Sequence, residues 1–169
     1  HRSCGGAIMT TLRSNTVFTE TKKNTTGPFK PKDPVSAYTH FGGFLAAIGA
    51  MPFLLIHAAK LGASTSSLIS YAVFMMSMVL LYGASASYHS FNISPKVNMV
   101  LKRVDHMSIF ALIAGSYTPI CVVALRGQGA GSLLLTVIWV MAIAGMLFKL
   151  FWVTCPRWVS SVIYTGMGW

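Results

Sequence analysis

From Leu61 to Pro95 the chain carries no Lys, Arg, Asp or Glu; its polar positions are Ser, Thr, Tyr, Asn and His set among apolar residues. Such a run predicts a membrane-spanning helix, because about 20 apolar residues in helical form cross the hydrocarbon of a bilayer. The pattern recurs along the chain. Four charge-free segments, 35–59, 66–89, 106–125 and 131–148, are each long enough to span. Gly42-Gly43, Ala46-Ala47 and Gly145 supply the small residues that let helices approach closely in lipid. A fifth segment opens at Trp158, and the sequence stops at Trp169. A helix ending in mid-bilayer would leave its last carbonyls bare. The expectation is therefore an all-α, polytopic transmembrane helix bundle of four complete helices plus part of a fifth, C-terminally truncated. Residues 1–34, rich in Ser, Thr, Asn, Lys and Pro, read as a disordered tail, which leaves 35–169 as the transmembrane domain.

Composition sharpens this picture. With 54% hydrophobic and 9% charged residues, the chain cannot clothe itself as a soluble domain does at about 25% charged. Lipid is its solvent. The net charge of +10 would suggest nucleic acid in a soluble protein. Here the basic residues lie between apolar runs, so they point to topology and head-group contact, with no nucleic acid implied. With the tail in the cytosol, Lys22, Lys23, Lys30, Lys32, Lys96, Lys102, Arg103, Lys149 and Arg157 fall inside, and Lys60 and Arg126 outside. That bias predicts a cytosolic N-terminus. Cys4, Cys121 and Cys155 are scattered, with neither a disulfide framework nor a CxxC spacing. The apolar run from about Val35 is too long for a signal-peptide core, and Met9 is a candidate start upstream of which Gly5-Gly6 is encodable by a ribosome-binding sequence.

Candidate chemistry gathers at one boundary. His89 closes the second segment, and Asp105, the only carboxylate after Asp33, opens the third. Antiparallel neighbours joined by the basic loop 90–104 would bring both to one depth near the inner leaflet. Ser85 stands one turn before His89 on the same helix face. Imidazole is a zinc ligand, and a nearby carboxylate can hold or deprotonate a metal-bound water. A serine there could orient the imidazole or bind a developing oxyanion. From spacing alone the plainer reading is favoured: three polar groups bond one another and the head groups. One His and one Asp fall short of the three or four ligands zinc takes. His40, at the start of helix one, and His106, beside Asp105, read first as packing or interfacial groups. His57 reads as interfacial at the other end, and His1 lies in the tail. Pro119 is expected to kink helix three.

The strings Ser85-Ala-Ser-Tyr-His89 and Arg103-Val-Asp105-His106, followed by Gly115-Ser-Tyr-Thr-Pro119, resemble signatures of the hemolysin III family, and the resemblance runs from about Asp33 to Gly166-Met-Gly-Trp169. That family is grouped with the progestin and adipoQ receptors and the alkaline ceramidases among proposed membrane hydrolases. The resemblance implies seven helices with the N-terminus inside. It implies a zinc held by His89 and by two histidines of an HxxxH on the last helix, with Asp105 contacting the metal-bound water and Ser85 supporting the ligand or an oxyanion. Ser116 departs from the Thr of the family's GTYTP string, and no HxxxH falls within this sequence.

These observations give the reading of a zinc-dependent hydrolase of a lipid amide or ester in a bacterial plasma membrane, with membrane lipid as partner. Two alternatives stand beside it: a cytolysin or channel-like protein, and a non-catalytic membrane receptor. Against a channel, the spans are uniformly apolar, with no amphipathic stripe to line a water-filled pore.

Overall fold

The computed structural model describes residues 31–168. The first thirty residues of the expected tail, Cys4 and Met9 among them, lie outside the described residues. Five helices follow in order: α1 (Pro34–Lys60), α2 (Thr65–Ser90), α3 (Pro95–Pro119), α4 (Gly129–Phe151) and α5 (Arg157–Gly168), with a π-helical turn, Ile120–Ala124, between α3 and α4. No strand occurs among the described residues. Four helices, counting α3 together with its π turn, are long and apolar enough to cross a membrane. The fold is the all-α membrane bundle that the charge-free segments predict.

The helix starts are written locally. Asp33 precedes Pro34, and its carboxylate accepts from the Ser36 amide at 3.5 Å and the Ser36 hydroxyl at 2.5 Å. Ser64 and Ser94 cap α2 and α3, accepting from the amides of Ser67 and Val97. Each satisfies an amide that would otherwise lack a partner in the first turn. Gly62 takes the left-handed conformation in the α1–α2 turn (φ +80°), where a side chain would be strained.

One boundary differs from expectation. The third helix begins at Pro95, not at Asp105, so the loop before it shrinks from 90–104 to 91–94. The charges of Lys96, Lys102 and Arg103 end the apolar run without ending the helix, because long basic side chains carry their charge out to the interface. Ser94-Pro95 is itself a start signal, a capping serine before a proline at the first helical position. The loop is tied down by Asn98, which accepts from the Ile93 amide and donates to Asn92. At the far end, Pro119 closes the α-helical part of α3, and the Leu125 amide reaches back five residues to Ile120. The expected disturbance at proline takes the form of a π turn.

In the packing, α1 lies against α2, while α3 touches α2, α4 and α5. Small residues set these contacts. A Cβ on Gly115 would meet the Ser77 side chain, and one on Gly145 would meet the ring of Phe110. Phe110, Ala114, Ile138, Ala142 and Met167 form the core between α3, α4 and α5. Close approach through small residues is the expected mode of association in lipid, where burial of apolar surface supplies no drive between helices.

Candidate functional site

The polar cluster forms where the N-terminal end of α1 meets the C-terminal end of α2. The antiparallel register is set by Gly43 under the ring of Tyr82 and Gly83 under Phe44. It brings His40 beside Ser85, with Nδ1 and Oγ 2.6 Å apart. The His40 ring then stands edge-on to His89, ring centroids 5.8 Å apart at 81°. Tyr82 and Tyr88 make edge contacts with His40 and His89 respectively.

The residues before α1 close over this end. The amides of Lys32 and Asp33 both donate to the His89 carbonyl, at 2.9 and 3.5 Å. That carbonyl is one of those left without a partner at a helix C-terminus. The same segment lays the Lys32 ammonium over the Tyr88 ring at 4.6 Å and sets an Asp33 oxygen 4.0 Å from His89 Nδ1. The Ser36 hydroxyl, with the Ser36 amide and His89 adding to it, holds the Asp33 carboxyl below its ordinary range.

Asp105 is buried in α3 at 8% exposure. Its depth follows from the α2–α3 contact. Gly115 faces both Ser77 and the Val73 carbonyl, so counting back along α3 sets Asp105 level with Ser85 and one turn deeper than His89, about 6 Å along the axis. Among the described residues the carboxylate beside His89 is that of Asp33, and no such contact joins it to Asp105. His106, next in sequence, keeps Nδ1 buried without a hydrogen-bond partner.

Of the residues singled out in the sequence, Ser85 and His89 therefore share one cluster, and Asp105 stands level with it on the next helix. Ser85 pairs with His40, where spacing alone had set it beside His89. Two members of the cluster, His40 and Asp33, were not singled out as site residues. Asp33-Pro34 was legible as a helix start, and reflecting the chain about the α1–α2 turn pairs position 40 with position 85. Nothing local to either residue signals the contact. As to metal, no group of three His, Cys, Asp or Glu among the described residues is placed to hold an ion. These residues alone do not meet the three or four ligands of a zinc site.

Comparison with known proteins places the chain. The family described as Haemolysin-III related matches residues 30–169. The chain is 40% identical over 141 residues to Hemolysin-3 of Bacillus cereus, covering 83% of the chain and 63% of that protein. It is 40% identical over 134 residues to the Hemolysin-3 homolog of Bacillus subtilis (strain 168), covering 79% and 62% respectively. The chain thus spans a little under two-thirds of the length of these relatives. No solved structure matches it. With four membrane-spanning helices and a family match over nearly all its described length, the chain is a multi-pass membrane protein that belongs to the haemolysin-III related family.

Proposed function

We propose that this chain forms part of a zinc-dependent hydrolase of a membrane-lipid amide or ester, in a bacterial plasma membrane with its N-terminus in the cytosol. The observation that carries the reading is the buried carboxylate of Asp105, held within a membrane-spanning helix at the same end of the bundle where His40 pairs with Ser85 and the His40 and His89 rings converge. An ionisable group kept at such depth is costly, and a functional role accounts for it better than stability does. His89 would be one zinc ligand, the others coming from residues outside these 169. Zinc so held would polarise the carbonyl and acidify water. Asp105 would accept the proton of the attacking water, and Ser85, steadied by His40, would donate toward the developing oxyanion. A groove of about 450 Å³ lined by Phe41, Phe44, Gly83, Ala86 and Phe91 suits an acyl chain entering from the lipid side. The excess of Lys and Arg on the face shared by the tail and the α2–α3 loop supports the cytosolic N-terminus.

The test is made on the full-length protein, by metal analysis and by hydrolysis of lipid amide and ester substrates. His89→Ala should lose zinc. Asp105→Asn should keep the metal and lose turnover, and Ser85→Ala should lose about 10–100-fold in affinity or activity. A metal-free protein whose activity survives His89→Ala would remove the reading. The second reading, membrane lysis, is favoured by the name the two relatives carry. Lysis of erythrocytes undiminished by His89→Ala and Asp105→Asn would select it.

A further inference from the structure

A second polar region lies where α4 turns into α5. A cavity of about 440 Å³ opens there, lined by Tyr88, Lys102, His106, Lys149, Cys155 and Ser160 among others, with no acidic residue in its wall. Lys149, in the last turn of α4, is 1% exposed. Its ammonium donates to Cys155 Sγ at 3.0 Å and Ser160 Oγ at 2.5 Å, with the rings of Phe148 and Tyr164 about it at 6.0 and 5.9 Å. Among the described residues no carboxylate lies within ion-pair distance of it. A buried charge without a counter-charge is expensive.

The other groups of the wall compound this demand. Lys102 and His106 are four residues apart on one face of α3, and the buried His106 Nδ1 lacks a partner. Burial pushes the Cys155 thiol up, but its bonds with Lys149 and Ser160 outweigh this and leave it below its ordinary value. Even with Cys155 ionised, the two lysines keep the wall net positive. Asp105 exerts its field on His106 but does not line the cavity.

We propose that this cavity binds a phosphate-class anion, held by Lys102 and Lys149 with Ser160 and the His106 Nδ1–H as further donors. A phosphate offers several acceptor oxygens to such a set of donors, and charge-assisted hydrogen bonds are the strong ones. The cavity lies at the basic end of the bundle, so the phosphate is either that of a lipid head group or a free ion. Binding needs neither zinc nor turnover, so it stands or falls apart from the hydrolase reading.

The chain is purified in neutral detergent under chelation, and two probes are used. Native mass spectrometry compares retention of phosphatidylglycerol with that of phosphatidylcholine, and calorimetry follows inorganic phosphate. Lys149→Met and Lys102→Gln should each weaken binding about tenfold or more, the effect of losing one charge-assisted bond. Lys60→Gln, at the opposite end of α1, should leave it unchanged. Preferential retention of phosphatidylglycerol that both cavity variants abolish supports the proposal with a lipid source. Binding of inorganic phosphate alone, with the same variant pattern, supports it with a free ion. Absence of both, or binding indifferent to Lys149→Met and Lys102→Gln, overturns it. Lys149→Met replaces a buried ammonium with an apolar chain of similar length, so folding is expected to survive, and Lys102→Gln supplies an independent reading.

Discussion

Gly115→Ala probes the contact that sets the depth of Asp105. A Cβ at position 115 would overlap both Oγ and Cβ of Ser77, and the Val73 carbonyl stands 3.5 Å from it. Ser77 is buried, and its hydroxyl is tied to the Phe74 carbonyl at 2.6 Å. Rotating that hydroxyl away would still leave the clash between the two Cβ atoms, so α2 and α3 must part. Overpacking of this kind costs about 1–3 kcal/mol. Replacing glycine by alanine in a helix interior returns about 0.5–1 kcal/mol. The net expectation is a loss of about 0–2.5 kcal/mol, and a stability about 1–3 kcal/mol below that of a glycine-to-alanine change with no clash. Gly49 has nothing within 4 Å of a built Cβ, so Gly49→Ala isolates the propensity gain and should be neutral or slightly stabilising. Reversible unfolding in mixed micelles by a denaturing detergent, followed by circular dichroism, measures both. Ser77→Gly added to Gly115→Ala should recover stability, with a coupling of about 0.5–3 kcal/mol. If Gly115→Ala proves as stable as Gly49→Ala, or if Ser77→Gly shows no coupling, the α2–α3 contact is wrong and the depth assigned to Asp105 goes with it.

Two further outcomes are expected. Lys60→Cys should react with an impermeant maleimide added outside intact cells, which should miss Cys155, while Lys96→Cys should react only after permeabilisation; strong external labelling at position 96 would reverse the proposed orientation. The Asp33 carboxyl is held below its ordinary value of 3.8, first by the Ser36 hydroxyl. A depressed folded-state value contributes stability that is full above 3.8 and is lost as pH falls through the lower folded value. The stability advantage over Asp33→Asn should therefore be present at neutral pH and disappear on acidification below about pH 4; a difference that stays flat across that range would count against the cap.

The spanning helices could be read from the chain because each rests on a local quantity, the absence of charge over a bilayer's thickness. Capping is equally local, and Asp33-Pro34, Ser64 and Ser94-Pro95 mark their helix starts within a few residues. The early start of α3 is less visible because Lys96, Lys102 and Arg103 end the apolar run without ending the helix. Ser85, His89 and Asp105 were legible as polar groups at one end of the bundle for the same local reason.

Their partners were not legible in that way. His40 meets Ser85 because Gly43 and Gly83 let α1 and α2 close to one particular register. Asp105 comes level with Ser85 because Gly115 seats between Ser77 and the Val73 carbonyl. Lys149 reads in sequence as one more interfacial lysine, yet the turn at Cys155 and the return of α5 bury it against Ser160. Helix formation and membrane spanning follow from the sum of nearby residues, which a sequence displays directly. Axial register and rotation between helices depend on which small residue faces which neighbour, and that match exists only once the helices are packed.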